Sequence, residues 1–283
     1  MTYNNQKEIV FFGIRRSGNH AVIKWILQNI GSNGVHLNDI TGENPYDSCT
    51  KIYLHNMPVA NMFPEYANRS TLPFDKDNCF LFHNYEDDVD WGKWKTLKEE
   101  KKDTLIISYE DRSIKAKIFS SFLQQHDAFV GESNERYLVI LLRDAYNLFA
   151  SMYKAAYINQ QHIDRGKQLF KEYAEIFLAP KVQRESKLIC INFNGWHSNK
   201  QYRILLGELF GVTLNGDPFR EVSMIGGGSS FDGTSLNQNA QHMKVLERWK
   251  EYASDPEYRA IFDDKELVEL SNAIFGRIVP QNW

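Results

Sequence analysis

The chain has 283 residues, of which 42% are hydrophobic, and a formal net charge of −3. That composition supports a sizeable core and excludes nucleic-acid binding that relies on bulk positive charge; the length fits one long α/β domain over residues 1–283, with two small domains as the alternative. The three cysteines, Cys49, Cys79 and Cys190, lack metal-ligand spacing and read as the reduced thiols of a cytoplasmic protein.

Met1 to Glu8 is polar, with no signal-type apolar stretch. No apolar run reaches the roughly 18–20 residues that span a bilayer, so no membrane partner is expected. Residues 9–13 form a continuous apolar run, the pattern of a buried parallel strand. Residues 19–30 follow helical spacing, with Val22, Ile26 and Ile30 on one side and Ile23 and Leu27 beside them. Turn residues are dense from Gly31 to Cys79, interrupted by a possible short strand from Lys51 to His55. Strands are expected at 79–83, 104–109, 137–142 and 187–193. Helices are expected at 113–125, 145–158, 165–178, 198–210, about 240–253 and 264–275. This alternation predicts an α/β fold, a P-loop-type parallel sheet with helices on both faces. Residues 31–103 and 155–185 are expected to supply substrate-side loops or insertions.

Ligands of such sheets bind beyond the carboxyl ends of the strands. Those ends carry the stretch from Gly13 to Gly18, then His83, Glu110, Arg143 and Phe193. The first stretch is Gly13-Ile14-Arg15-Arg16-Ser17-Gly18, followed by Asn19, His20 and Ala21. Its glycine spacing equals that of a nucleotide-triphosphate loop, and its position before a helix suits an anion. The Lys that reaches a γ-phosphate and the Ser or Thr that binds Mg²⁺ are replaced by Asn19 and His20. The expected ligand is therefore a 5′-substituted nucleotide held without metal, by Arg15, Arg16, Ser17 and backbone N–H groups. The second piece is Arg143, at the end of the most apolar strand, with Ser151 two helical turns further on. Arg and a hydroxyl together suit a second phosphate.

Together these motifs resemble the 3′-phosphoadenosine 5′-phosphosulfate-dependent (PAPS-dependent) sulfotransferases, a natural-product tailoring type among them. Arg16-Ser17-Gly18-Asn19-His20 is similar to that family's first motif, and Arg143 with Ser151 to its second. The resemblance implies that the first loop holds the 5′-phosphosulfate and that Arg143 and Ser151 hold the 3′-phosphate. PAPS is then the donor and 3′-phosphoadenosine 5′-phosphate (PAP) the product, with no metal required. The C-terminal layout agrees: a glycine-rich loop, a helix with Arg248-Trp249-Lys250, and a final acidic helix. The family's Arg-Lys-Gly loop is absent, and Gly226, Gly227, Gly228, Ser229 and Ser230 stand in its place as phosphate donors. Ala21 replaces a tryptophan common in cytosolic members, so adenine stacking falls to Phe193 or Trp196, each of which also reads as a core aromatic.

Sulfuryl transfer needs an in-line acceptor, a proton acceptor and a cation at the leaving phosphate. Arg16, always charged, suits the last role. The base is His83 or Glu110. A neutral-range imidazole favours His83, and by the resemblance the base position falls on Glu110 or its neighbour Tyr109; His55 and His20 are further histidines. For Glu110 a cap or ion-pair role is the other reading. The acidic run Glu86-Asp87-Asp88 with Asp90, flanked by Tyr85, Trp91 and Trp94, suits either a solvated surface or a cationic acceptor such as a saxitoxin-type alkaloid. The expected acceptor is a hydroxyl or amine of a small molecule or saccharide. Competing readings are an ATP-using P-loop kinase, a non-catalytic nucleotide-binding protein, and an interaction module on a degraded loop. The sequence leaves the oligomeric state open.

Overall fold

The structure is a computed structural model. It describes residues 3–30, 33–57, 79–83, 95–115, 122–155, 159–185, 187–211, 229, 231–233, 235–236, 239–280 and 283. The elements in order are β1 (Asn5–Gly13), α1 (Asn19–Ile30), β2 (Gly34–Asn38), α2 (Pro45–Ser48), β3 (Lys51–His55), β4 (Cys79–His83), β5 (Lys102–Glu110), α3 (Phe122–Val130), β6 (Ser133–Leu142), α4 (Ala145–Tyr153), α5 (Gln160–Phe177), α6 (Pro180–Glu185), β7 (Leu188–Asn192), α7 (Phe193–Ser198), α8 (Lys200–Leu209), α9 (Pro256–Ala260) and α10 (Lys265–Phe275). Short 3₁₀ turns occupy Lys95–Lys98, Ala240–His242, Arg248–Tyr252 and Ile261–Asp263.

The seven strands form one sheet in the order β4-β3-β2-β5-β1-β6-β7. The architecture is α/β, a mostly parallel sheet flanked by helices. β2 pairs parallel with β5, from Gly34 opposite Thr104 to Leu37 opposite Ile107. β3 runs antiparallel to both β2 and β4. The apolar runs behave as burial on both faces requires: Ile9 to Phe12 and Val139 to Leu142 are all at most 1% exposed. The three adjacent strands β1, β6 and β7, at one end of the strand order, lead directly into the loop 14–18, Arg143 and α7.

The described residues fall into two compact units. The first comprises 1–12, 30–110 and 115–139. Its core joins Val35 and Leu37, Ile52 and Leu54, and Leu105 to Ile107, and Phe12 stacks on Tyr109 with centroids 5.1 Å apart. It also buries a charge cluster. Glu8 Oε1 lies 2.7 Å from His126 Nε2, and its Oε2 accepts from Arg136 Nη2 at 2.8 Å. Burial pushes the Glu8 carboxyl up, but His126 and Arg136 outweigh that and hold it down at about 2.

The second unit comprises 13–29, 111–114 and 140–283. α1 buries Val22, Ile23, Trp25, Ile26 and Leu27, with Trp25 edge-on to Trp196 at 6.0 Å. In α5, Asn159 and His162 form a reciprocal capping box, and Ile163, Leu169, Phe170 and Tyr173 are buried. Tyr146, Tyr258, Phe262 and Trp283 gather in one aromatic cluster.

Several elements differ from the sequence expectation. β2 lies where turns were expected, and its five residues are all buried. Gly34, His36 and Asn38 dilute its apolar signal, but His36 Nε2 meets Ser108 Oγ at 2.9 Å and the ring stacks on Tyr53 at 5.2 Å, so that polar nitrogen is satisfied inside. The stretch 31–103 thus contributes three strands, β2, β3 and β4, to the sheet. The helix expected over 198–210 is divided at Asn199, whose Oδ1 caps α8 by accepting Tyr202 N–H at 3.1 Å. Phe193 opens α7 instead of ending a strand. The helix expected over about 240–253 is replaced by two 3₁₀ turns. The Val245 carbonyl accepts from Arg143 Nη2, and the Leu246 carbonyl from Asn147 Nδ2 at 3.1 Å, so acceptors that a helix needs internally are used by side chains at the end of β6 and on α4.

Candidate functional site

The loop after β1 closes with Ser17 N–H donating to the Ile14 carbonyl at 3.0 Å. Asn19 bends back so that Nδ2 donates to the same carbonyl at 3.2 Å. A Cβ on Gly13 would sit 1.9 Å from Asn19 Oδ1, so the first glycine makes room for this side chain. Gly18 has φ of 97°, and a Cβ there would meet the Phe193 ring at 2.3 Å. Arg16 takes φ of 71°, in the left-handed region that a branched chain avoids. The Gly18 carbonyl accepts from Ala21 and Val22, so α1 begins at the loop and turns its first-turn N–H groups toward it.

The loop is anchored by Asp111, one residue beyond Glu110. Arg15 N–H donates to Asp111 Oδ1 at 2.8 Å, and Asp111 N–H donates to the Gly13 carbonyl at 3.1 Å. Arg15 Nε stands 3.5 Å from Asp111 Oδ2. Its chain position gave no sign that Asp111, rather than Glu110, serves the loop.

Arg143 is 2% exposed. Its Nη1 donates to the Arg16 carbonyl at 3.3 Å and to Ser151 Oγ at 3.0 Å, and its Nη2 donates to the Val245 carbonyl. Its Nε is buried without a partner among the described residues, as is Ser17 Oγ. Ser151 Oγ also accepts Arg248 Nη1 at 3.0 Å and donates to the Asn147 carbonyl at 2.8 Å. One hydroxyl therefore separates two guanidinium groups, with its own donor and both acceptor positions used. Burial, then the Arg248 charge, pushes Arg143 well below its usual range, with Arg16 adding to the effect. Burial also draws Arg248 down to about 10, against the opposing pull of Asp232. Three cations thus converge, and Asp232 reaches Arg248 only at 4.0 Å. Asp144 is committed to capping α4 and to Asn194 Nδ2 at 2.9 Å. Buried like charges of this density suit a polyanionic ligand.

Of the residues singled out in the sequence, Arg15, Arg16, Ser17, Gly18, Asn19, His20, Ala21, Arg143, Ser151, Phe193 and Ser229 belong to the second unit. His83 and Glu110 belong to the first. Gly226, Gly227, Gly228 and Ser230, the acidic run at 86–88 with Asp90, and Tyr85, Trp91 and Trp94 lie outside the described residues, as does the side chain of His83. The Phe193 ring is 4% exposed, pressed against Gly18, 5.3 Å from Arg143 Cζ and 5.6 Å from the Trp196 ring, so it wedges the loop against Arg143. Trp196, 2% exposed, is likewise core. Arg248 carried no role in the sequence reading, although a basic triplet after a glycine-rich loop was its available signal.

No protein-family model matches the sequence, and no curated protein matches it. Among solved structures, the sulfotransferase domain of the Synechococcus PCC 7002 olefin synthase superposes with a TM-score of 0.52 at 9% identity, over 99% of this chain and 98% of that chain. The chain has the fold of a sulfotransferase domain. Mouse sulfotransferase SULT7A1 complexed with PAP gives a TM-score of 0.46 at 10% identity, over 95% of this chain and 84% of that one. Within the sulfotransferase fold, the site described above lies at the ends of three adjacent strands, β1, β6 and β7. No helix among the described residues is long and apolar enough to cross a membrane.

Proposed function

We propose that the protein transfers a sulfuryl group from PAPS to a hydroxyl or amine of a small molecule or saccharide, releasing PAP. The observation that carries this reading is the pair Arg143 and Arg248 meeting at Ser151 Oγ, at 3.0 Å each, beside a loop that lacks the γ-phosphate Lys and Mg²⁺-binding Ser or Thr. Two separated anion positions fit a nucleotide phosphorylated at both ends. The loop, Ser17 and the start of α1 suit the 5′ end, and Arg143, Ser151 and Arg248 suit the 3′ end. Ser17 Oγ and Arg143 Nε, without a partner among the described residues, are hydrogen-bonding groups of the kind such a ligand satisfies.

In the reaction, an acceptor oxygen or nitrogen forms a bond to sulfur while the bond from sulfur to the 5′-phosphate oxygen breaks, and the electron pair leaves with that oxygen. Arg16 stabilises the departing charge electrostatically, because a guanidinium keeps its proton. The acceptor proton passes to His83 or Glu110. A cationic natural product remains one form of the acceptor, motivated by Glu86, Asp87, Asp88 and Asp90.

A thermal-shift comparison tests the donor. PAP is expected to raise the melting temperature without metal, because it binds the native state alone. A shift with ATP and Mg²⁺ but none with PAP overturns the reading in favour of a kinase.

A further inference from the structure

The sheet of the first unit has two unlike faces. Side chains alternate along a strand, and residues paired across strands share a face. Val35 pairs with Leu54 and Leu105, and Leu37 with Ile52 and Ile107, which makes one face apolar. The other face carries Thr104 and Ser108 from β5, His36 and Asn38 from β2, and Lys51 and Tyr53 from β3. All of these except Lys51 are at most 5% exposed. Apolar burial does not account for a covered face of this composition.

Three of its groups satisfy one another. His36 Nε2 meets Ser108 Oγ at 2.9 Å, and Ser108 Oγ donates to Asn38 Oδ1 at 3.3 Å. Lys51 differs. It is partly buried and makes no hydrogen bond or ion pair among the described residues. Asn38 lies opposite it on β2 and His83 opposite it on β4. Ser108, Asn38, Lys51 and His83 therefore form one row across four strands, at the carboxyl ends of β2 and β5. Paired residues of antiparallel strands have Cα atoms about 5 Å apart, so the ammonium springs from beside a candidate base.

An ammonium partly withdrawn from water and without a counter-charge favours an anion. Glu110, which alternation places on the same face, stands two residues beyond Ser108 and two strands from Lys51. The row thus favours the opposite ligand from the acidic run Glu86 to Asp88. We infer that Lys51 is a specificity-determining residue that selects an acceptor bearing an oxyanion, such as a carboxylate, near the hydroxyl or amine to be sulfated. This assignment rests on the sulfuryl transfer proposed above.

Sulfation of three phenols of one skeleton tests it. 4-Hydroxyphenylacetate, 2-(4-hydroxyphenyl)ethanol and tyramine carry the same ring hydroxyl with an anionic, a neutral and a cationic side group. With PAPS as donor, the wild type is expected to favour 4-hydroxyphenylacetate over the other two in kcat/KM by about tenfold, the scale of one charge-assisted hydrogen bond. Lys51→Gln is expected to bring the ratio of anionic to neutral acceptor near one, and Lys51→Glu to favour tyramine. A general loss of stability does not move these ratios, and a rise in melting temperature with PAP shows which variants are folded. A PAP-binding wild type that favours the neutral or cationic phenol, or sulfates none of the three, overturns the inference and leaves the donor standing. An unchanged ratio in either folded variant does the same. A wild type whose melting temperature PAP does not raise overturns the donor reading, and the inference with it.

Discussion

Arg143 Nη1 stands 3.0 Å from Ser151 Oγ, although the two residues are eight positions apart across a strand-to-helix junction. The guanidinium lies back along α4, and the serine hydroxyl fixes how near Arg248 approaches. The same nitrogen bonds the Arg16 carbonyl, so the arginine at the end of β6 also holds the left-handed residue of the loop.

Arg143→Ala is therefore expected to weaken both ends of nucleotide binding. Removing the side chain leaves the Arg16 and Val245 carbonyls without this donor, at a cost of about 1–3 kcal/mol for each buried group left unsatisfied. Calorimetry should show PAP affinity falling about tenfold or more, with a smaller loss for adenosine 5′-monophosphate, and denaturant unfolding should show the lower stability. Wild-type stability together with wild-type affinity would remove Arg143 from the site.

Gly18→Ala sets the Phe193 wedge against the loop. The new Cβ meets the ring at 2.3 Å, and the φ of 97° adds strain of about 1–2 kcal/mol for a residue with a Cβ. A second change, Phe193→Leu, is expected to relieve the steric part and leave the backbone part. A double-mutant cycle on unfolding free energy measures that coupling. Strict additivity would mean that ring and glycine do not meet.

Much of this site was legible because it follows sequence-local rules. The apolar run of β1, the glycine spacing of its loop and the Arg at the end of β6 are read within a few residues. What escaped depends on distant partners. β2 looks like a turn until His36 finds Ser108 and Tyr53. Arg248 looks helical until Val245 and Leu246 give their carbonyls to Arg143 and Asn147. The packing of Phe193 against Gly18 escapes because nothing local reveals it.

The proton acceptor is separated by substitution. If His83 is the base, His83→Ala is expected to lower turnover of PAPS by about a hundredfold or more while PAP affinity stays near wild type. The assay uses PAPS with a panel of hydroxylated and aminated small molecules. Retained turnover in His83→Ala assigns the role to Glu110, for which Glu110→Gln is then expected to give the same loss. Retained turnover in both variants excludes the pair.

Glu8 predicts an acid-sensitive first unit. Its folded pKa, about 2, lies below its ordinary 4.5. The stabilisation is therefore fully present above about pH 4.5 and is lost as pH falls through about 2. The difference corresponds to about 3 kcal/mol. Urea unfolding between pH 7 and pH 2 should show a steep loss in the wild type. Glu8→Gln should start less stable and lose less over that interval. Parallel curves would mean that the His126 and Arg136 contacts contribute no such linkage.

His197 offers a readout of the anion site that needs no acceptor. Its imidazole lies 6.1 Å from the Phe193 ring, and burial, followed by the charges of Arg143, Arg203 and Arg248, draws its pKa from 6.5 down to about 4. The folded value lies below the unfolded one, so this group favours the native state fully above about pH 6.5 and progressively less as pH falls toward 4. A phosphate bound between Arg143 and Arg248 offsets two of the three cationic fields. The His197 titration midpoint, followed by NMR, is then expected to rise when PAP is bound, with proton uptake on binding between pH 4 and 6.5. Arg248→Ala should raise the midpoint in the free protein and shrink the shift caused by PAP. A midpoint that PAP leaves unmoved would place the bound phosphates away from Arg143 and Arg248.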